Sequence, residues 1–433
     1  MKFKLVFFLI SSILILSLVL AQTTPYKTTI NVLVWDDAHT KAVKSLIPEF
    51  EKVTGIKVNF IALPTRSVLE KAAVGISLDR TDYDLVSIDE PFVPQFGDLL
   101  LPYPLWPKGK IFEKVDLKDI VEGAVNAAIW EGSARGLPIN GNVYVYIYRK
   151  DLFEDPKNKE EFKKEYGYEL NPPNTFKELL DVSKFFAKKP NMYGFGPFTI
   201  KAEGVTAEAV FIMSSFGTDI LKVSGKTVKL ALDRKKAIEA IKFYKELLET
   251  APPGKLSFGH TERIQAFNMG QIAVMFQWPA LIPNHEDPKQ SLVAGKIGYM
   301  VPPSGPARRV AVTGCWILGI PKASKNKTAA AEFAYWWASK EAGKKLIEAG
   351  MSPVRKDLLS DPELQKTRKW YQASLEAFKY GISRPRFKDY ARVSEVIQVY
   401  WTKGISGELT PEQAIDSMYN EIYKILKEEG YVQ

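Results

Sequence analysis

The chain has 433 residues, with 59 Lys and Arg against 50 Asp and Glu, which gives a formal net charge of +9. This length exceeds what one hydrophobic core can organise and predicts two or three domains. With 46% hydrophobic and 25% charged residues, the composition excludes a disordered or low-complexity chain, and the only cysteine, Cys315, excludes an intramolecular disulfide.

The N-terminal segment has the features of a signal peptide. Two lysines precede an apolar run over residues 5–20, and Val19 and Ala21 stand where a small-residue cleavage site requires them. The run is shorter than the roughly 18 to 20 residues that a membrane span needs. We therefore expect residues 1–21 to be removed and the protein to act outside the cytoplasm, at the cell surface or in a periplasm. The alternative is an uncleaved segment that holds it at the membrane.

The region after this segment begins with a βαβ pattern. Residues 29–35 (TINVLVW) predict a buried strand, and apolar residues at helical spacing from Val43 to Val53 predict an amphipathic helix. Thr54-Gly55 ends that helix, and residues 56–63 (IKVNFIAL) predict the second strand. This order favours a parallel sheet.

Polar and aromatic residues follow two strands of the predicted sheet. The third strand, YDLVSI, ends directly before Asp89. In open parallel sheets, ligands bind just beyond the carboxyl ends of the strands. The candidate ligand contacts on this rim are Trp35, Asp36, His39, Asp89 and Glu90. The alternatives are a solvated loop at Asp89-Glu90 and a core position for Trp35.

One α/β unit precedes residues 136–153 (GLPINGNVYVYIYRKDLF) and another follows them, so this segment connects the two units. A Gly-Leu-Pro turn leads into alternating β-branched and aromatic residues, which predicts a strand. We expect this strand to connect two lobes, with Asn140 and Asn142 between them. A cleft with polar groups at a domain junction is a favoured place for a small ligand.

Two later segments predict further crossings between the lobes. Residues 270–278 (GQIAVMFQW) give an apolar strand that ends in Trp278, and residues 310–321 (VAVTGCWILGIP) give another that contains Trp316. Both tryptophans suit either the cleft or the core, because large aromatic side chains occupy both kinds of place.

Several other functions are disfavoured by the sequence. His39, His260 and His285 are far apart, and no Ser or Cys lies in a nucleophile motif. No cluster of His, Cys, Asp or Glu has the spacing of metal ligands, so neither a metal nor a cofactor is expected. No block of Lys and Arg interleaved with aromatics predicts nucleic-acid binding. Adjacent acids on one strand end cannot both aim at one glycosidic bond, so an enzyme is not expected.

Short motifs follow one another in a specific order along nearly the whole chain after the signal peptide. They are FEKVTGIKV (50–58), YDLV (83–86), GLP (136–138), YRKDLF (148–153), PNTFKELL (173–180) and FNMGQIAVM (267–275). In order and spacing this set resembles the family 1 extracellular solute-binding proteins of ABC import systems, which mostly carry sugars and oligosaccharides.

The resemblance implies an α/β fold of the two-lobed periplasmic-binding-protein type (type II). Each lobe would contain a mostly parallel sheet flanked by helices, three hinge strands would join the lobes, and ligand would be enclosed between them. We expect the first lobe to comprise residues 28–142 and 277–315, and the second to comprise residues 143–276 and 316–433.

The resemblance also carries over site residues position by position. Asp89 matches a hydroxyl-binding acid, Asn142 an acid on the first crossing strand, and Trp278 a stacking aromatic after the second crossing. Gly314 and Trp316 match a glycine and an aromatic at the third crossing.

Arg384, in the sequence Ser-Arg-Pro, matches an arginine of the late lobe. Two positions depart from the family pattern. The first rim position, which often carries an acid, is His39 beside Asp36 and Asp37, and Asn142 is neutral, so the particular sugar is not indicated. The candidate ligand-binding residues are Trp35, Asp36, His39, Asp89, Glu90, Asn140, Asn142, Trp278, Gly314, Trp316 and Arg384.

These residue types suit a carbohydrate. Sugars present many hydroxyls and flat C–H faces, so a site needs charged or amide groups for hydrogen bonds and aromatic planes beneath. Together with the resemblance, these residues imply a monomeric, exported binding subunit that delivers a mono- or oligosaccharide to an ABC permease by hinge closure. The alternatives are an anionic ligand such as a glycerol phosphodiester, suggested by the positive net charge and Arg384, and an exported carbohydrate-active enzyme.

Overall fold

The computed structural model describes residues 26–188, 191–225 and 227–432, so the predicted signal peptide lies outside the described residues. Within those ranges, no helix combines the length and the apolar character needed to cross a membrane. Two lobes, each built on its own sheet, make up the predicted α/β fold.

The strands and helices follow one another along the whole described chain. The strands are β1 (Thr28–Trp35), β2 (Ile56–Leu63), β3 (Leu85–Asp89), β4 (Ile129–Trp130), β5 (Ser133–Ala134), β6 (Leu137–Asn140), β7 (Val145–Arg149), β8 (Tyr193–Gly196), β9 (Leu221–Ser224), β10 (Thr227–Leu230), β11 (Ile272–Gln277), β12 (Ile297–Met300), β13 (Ala311–Val312), β14 (Trp316–Gly319) and β15 (Gly381–Ile382). The helices are α1 (Ala38–Thr54), α2 (Thr65–Gly75), α3 (Val93–Phe96), α4 (Glu122–Ala128), α5 (Lys150–Glu154), α6 (Pro156–Tyr166), α7 (Phe176–Ala187), α8 (Glu203–Ser215), α9 (Arg234–Leu248), α10 (His260–Asn268), α11 (Pro283–Glu286), α12 (Lys327–Trp337), α13 (Lys340–Glu348), α14 (Lys356–Leu359), α15 (Pro362–Thr367), α16 (Trp370–Phe378), α17 (Tyr390–Ser406) and α18 (Pro411–Glu428).

The first lobe is built on a five-stranded sheet in the order β2, β1, β3, β14, β6. β1 pairs in parallel with β2 and β3, which confirms the predicted βαβ start, and β14 lies antiparallel between β3 and β6. Asp37 caps α1 by accepting a hydrogen bond from the Thr40 amide at 3.0 Å. Gly55 ends α1 with a φ of 76°, a conformation that glycine adopts readily. The helix is thereby held so that its N-terminus follows directly on the end of β1.

The second lobe is built on a four-stranded sheet in the order β12, β7, β11, β8. β7 runs antiparallel to both of its neighbours, and β8 runs parallel to β11. The C-terminal helices belong to this lobe, since α17 packs on α8 and α18 packs on α9.

Three short segments cross between the lobes side by side. They are residues 142–144, which connect β6 to β7, residues 311–314 before β14, and residues 380–382 before α17. The backbone bonds that join them run from Gly314 N to Asn142 O (3.0 Å), from Tyr144 N to Val312 O (2.9 Å) and from Ala311 N to Tyr380 O (2.9 Å). The predicted two-lobed α/β fold with three crossing segments is therefore confirmed. The prediction of a mostly parallel sheet in each lobe is wrong for the second lobe, where β7 is antiparallel to both neighbours and only β8 and β11 are parallel.

The sheet pairing corrects the predicted lobe boundaries. The prediction has residues 270–278 cross into the first lobe. However, β11 and β12 both belong to the second sheet, so the chain remains in the second lobe through β12. The prediction places residues 316–433 in the second lobe. However, β14 pairs with β3 in the first sheet, so the chain after residue 315 first returns to the first lobe. The third crossing instead lies at residues 380–382.

Candidate functional site

A cavity of about 220 Å³ lies between the lobes, beside the hinge. Most of the residues predicted from the sequence to contact ligand lie on its walls. The lining residues are Trp35, Asp36, Asp37, Asp89, Asn140, Asn142, Glu203, Gly204, Ala207, His260, Trp278, Ala280, Leu281, Gly314, Trp316 and Arg384.

The register of the first sheet brings one wall together. Trp316, the first residue of β14, is paired with Asp89 at the end of β3 on one side and with Asn140 at the end of β6 on the other. Trp35 is the last residue of β1 in the same sheet. Because β14 runs antiparallel to its neighbours, its start lies at the edge where the other strands end.

Three indoles flank the cavity. The rings of Trp35 and Trp316 stack with their centroids 4.4 Å apart and an angle of 28° between their planes. Trp278, which follows β11 of the second lobe, lies 4.2 Å from the ring of Tyr144. A Cβ at Gly314 would approach the Trp278 ring to 2.9 Å, so glycine at this position lets the indole lie against the hinge.

Arg384 joins the two lobes through a pair of carboxylates, which we call the Arg384 bridge. Its Nη2 donates to Asp89 Oδ1 at 2.6 Å, and its Nη1 donates to Glu203 Oε2 at 3.0 Å. Asp89 ends β3 of the first lobe, and Glu203 begins α8 of the second. The side chains of Arg384 and Asp89 are only 4% and 5% exposed, so solvent screens their attraction weakly.

The cavity contains more acid than base. Asp36 and Asp37 add two carboxyl groups to those of the Arg384 bridge, whereas Arg384 is the only Lys or Arg on the walls within the described part of the chain. Burial raises the pKa of Asp89, although the charge of Arg384 opposes that shift. Burial, reinforced by the charge of Arg263, lowers the pKa of His260 to about 3. The imidazole of His260 is therefore neutral at physiological pH.

Asn140, at the end of β6, and Asn142, in the first crossing segment, differ in their partners. Asn142 Oδ1 accepts a hydrogen bond from the Ala280 amide at 3.1 Å, which fixes the side chain across the lobes. Asn140 is fully buried, and neither its Oδ1 nor its Nδ2 has a hydrogen-bond partner among the described residues. Since buried amides are normally paired, Asn140 offers one acceptor and one donor group to a molecule in the cavity.

The structure corrects two of the predicted ligand contacts, since neither side chain lines the cavity. His39 is fully buried on α1, stacks beneath Trp35 at 5.4 Å and accepts a hydrogen bond from the Ser352 amide at 3.3 Å. Glu90 points to the hinge strand, where it accepts a hydrogen bond from Thr313 Oγ1 at 2.9 Å. His39 therefore supports the indole, and Glu90 braces the hinge.

Some lining residues were not among those predicted. Asp37 was visible beside Asp36, but its role as an N-cap explains its presence equally well. Glu203 begins α8 and accepts a hydrogen bond from Tyr390 Oη at 2.7 Å, a contact between distant parts of the chain. The distance of His260 from the other histidines in the sequence argues only against a catalytic triad and does not predict a place on this wall. No local motif in the sequence identifies Glu203 or His260.

Comparisons with known proteins agree with this geometry. The model of the family described as bacterial extracellular solute-binding protein matches residues 36–344. A probable amino-acid ABC transporter periplasmic-binding protein from Sinorhizobium fredii is 22% identical, over 91% of this chain and 88% of its own length. The mannitol-binding protein of Pseudomonas aeruginosa is 22% identical, over 73% of this chain and 74% of its own length.

Solved structures share the fold. An ABC transporter solute-binding protein from Agrobacterium radiobacter K84, in complex with ribitol, superposes with a TM-score of 0.79 at 23% identity, over 93% of this chain and 100% of that one. The architecture of two lobes around a cavity is thus found in proteins of this class. Since the family model covers well over half of the sequence, the chain belongs to the bacterial extracellular solute-binding proteins.

Proposed function

We propose that the protein is the substrate-binding subunit of an ABC importer and that it encloses a neutral carbohydrate or polyol between its lobes. The observation that carries the proposal is the combination, in one cavity beside the hinge, of three indoles with amide and carboxylate groups. Relatives named for mannitol or bound to ribitol add weight to polyhydroxy ligands.

The chemistry of the walls suits such a ligand. Carboxylate oxygens and the Asn140 amide hydrogen-bond to hydroxyl groups, and the faces of Trp35, Trp278 and Trp316 cover C–H groups. The cavity volume of about 220 Å³ lies below the roughly 300–1,000 Å³ typical of pockets for drug-sized ligands. This volume favours a ligand of one sugar unit or one short polyol chain.

An anionic ligand fits the cavity less well. Among the residues that the structure describes, Arg384 is the only Lys or Arg on the walls, and both of its terminal nitrogens already donate to carboxylates. A phosphodiester, or the carboxylate of an amino acid, would meet the surplus of acid, and only Nε of the guanidinium has no partner among the described residues. The positive net charge of the whole chain therefore does not extend to the site.

Ligand binding is coupled to the hinge in this proposal. A ligand that contacts Asn140 and Trp35 of the first lobe and Trp278 of the second holds the lobes together, and a permease distinguishes that closed form from the open one. The protein acts outside the cytoplasm, and its work is binding rather than catalysis.

Isothermal titration calorimetry against polyols, monosaccharides, oligosaccharides, amino acids and glycerol phosphodiesters tests the proposal. We expect heat of binding with at least one neutral polyhydroxy compound. The proposal would be contradicted if no polyol or sugar gave a heat of binding and an amino acid or a phosphodiester clearly bound. Mass spectrometry of ligand that co-purifies with the protein gives an independent answer.

A further inference from the structure

Arg384 lies on the walls of two separate spaces. One is the site cavity, and the other is a groove of about 470 Å³ between the β4–β5 hairpin of the first lobe and the β9–β10 hairpin of the second. The groove is lined by an indole, Trp130, and a carboxylate, Glu131, two kinds of side chain that also line the cavity. The Arg384 side chain therefore stands between a small cavity and a larger groove.

The contacts around Arg384 hold it in this position. Its guanidinium is fixed at both ends by Asp89 and Glu203, which belong to different lobes. Two residues further along the chain, Arg386 donates to the carbonyl oxygens of Asn126 at 2.6 Å and Ala127 at 2.9 Å, at the C-terminal end of α4. The backbone that carries Arg384 is thus tied to the first lobe next to the site.

Glu203 is equally well fixed. Its Oε2 accepts hydrogen bonds from both Arg384 Nη1 at 3.0 Å and Tyr390 Oη at 2.7 Å. The ring of Tyr390 in turn packs edge-on against Phe92 of the first lobe, with the centroids 5.1 Å apart. A partly buried side chain held by these hydrogen bonds acts as a wall and does not swing aside at little cost.

We propose, on the basis of the function proposed above, that the Arg384 bridge is the end wall of the ligand cavity and limits the ligand to one sugar unit or one short polyol chain. A longer ligand would extend past Arg384 toward the groove, because Arg384 is the one described residue that lines both spaces. Arg384 is then a determinant of ligand length, and its two ion pairs close the cavity when the lobes meet.

A length series tests the proposal in the wild-type protein. D-mannitol, ribitol and D-glucose serve as single-unit probes, and maltitol and maltose serve as two-unit probes, all measured by isothermal titration calorimetry. Because exclusion by a pocket wall typically discriminates by about 10- to 200-fold, we expect each two-unit probe to bind at least tenfold more weakly than the best single-unit probe.

Arg384→Ser removes the wall. We expect the ratio of two-unit to single-unit association constants to rise at least about tenfold, even though single-unit binding itself weakens. Arg392→Ser is the matched control, because Arg392 also joins two carboxylates, Glu428 and Glu429, but on the surface between α17 and α18. This control should leave the ratio unchanged.

The possible outcomes separate the two proposals. If the wild-type protein binds maltitol or maltose as tightly as the single-unit probes, the wall is refuted and the carbohydrate function stands. An unchanged ratio in folded Arg384→Ser also refutes the wall. If that variant does not fold, Glu203→Ser removes the second-lobe half of the bridge and should shift the ratio in the same direction. If no polyol or sugar binds at all, both proposals fail.

Discussion

Asn140 and Asn142 provide a sharp test of the site, because they are neighbours of the same residue type with different partners. Asn140→Leu keeps the branched shape and removes the amide. No hydrogen bond to a described residue is lost by this change, so the free energy of unfolding of the ligand-free protein should change little. Asn142→Leu removes the acceptor of the Ala280 amide and leaves a buried N–H group unpaired, which costs about 1–3 kcal/mol.

The effect of Asn140→Leu on binding should be large. An acceptor and a donor that bond to ligand hydroxyls contribute about 0.5–1.5 kcal/mol each. Their loss therefore weakens binding by about 1–3 kcal/mol, or roughly 5- to 150-fold. Asn140→Leu should thus separate affinity from stability, whereas Asn142→Leu should lower stability as well.

Two measurements decide this prediction. Scanning calorimetry of the ligand-free proteins gives the stability of each variant, and titration calorimetry with the ligand found in the panel gives the affinity. The reasoning is refuted if Asn140→Leu destabilises the protein as much as Asn142→Leu, or if Asn140→Leu binds ligand as tightly as the wild type.

Three further predictions concern the aromatic wall. Trp278→Ala should weaken ligand binding by about 2 kcal/mol, or roughly 30-fold, and an unchanged titration would assign Trp278 to the core alone. Gly314→Ala should weaken binding by about 1–2 kcal/mol, since its Cβ would press on the Trp278 ring; binding at wild-type strength would contradict this. Burial lowers the pKa of His39 to about 3, below its unfolded value, so protonation at falling pH favours the unfolded state. Between pH 7 and pH 5 the free energy of unfolding of the wild type should fall by about 2 kcal/mol more than that of His39→Phe. Denaturant unfolding at both pH values measures this difference, and an equal fall in the two proteins would refute the lowered pKa of His39.

The positions of the strand ends could be predicted from the sequence because the βαβ rule acts locally. A strand, helix, strand pattern fixes parallel pairing, and parallel pairing brings Trp35 and Asp89 to one edge. The direction in which each side chain points is harder to predict from the sequence. His39 follows the N-cap of α1 on the face that packs inward, and Glu90, next to Asp89, points to the opposite side of the strand end.

The crossings show where local patterns stop being informative. Residues 270–278 form an apolar strand that ends in an aromatic, a pattern that a core strand and a hinge strand share, and the sheet pairing makes it a core strand. The true third crossing contains only β15, which is two residues long. A hydrophobic period cannot be recognised over two residues, so residues 380–382 gave no signal.

The Arg384 bridge escaped prediction for a related reason. Arg384, Asp89 and Glu203 are far apart in the sequence, and the packing of the two lobes brings them together. The gain from such a buried ion pair is largely offset by the loss of hydration, so the bridge by itself gives the closed form little net stability. Closure must then depend on the contacts that a ligand makes with the indoles and Asn140. If the ion pairs contribute little net free energy to closure, the fraction of protein in the closed form is set mainly by ligand binding. A permease needs this property in order to recognise a loaded binding protein.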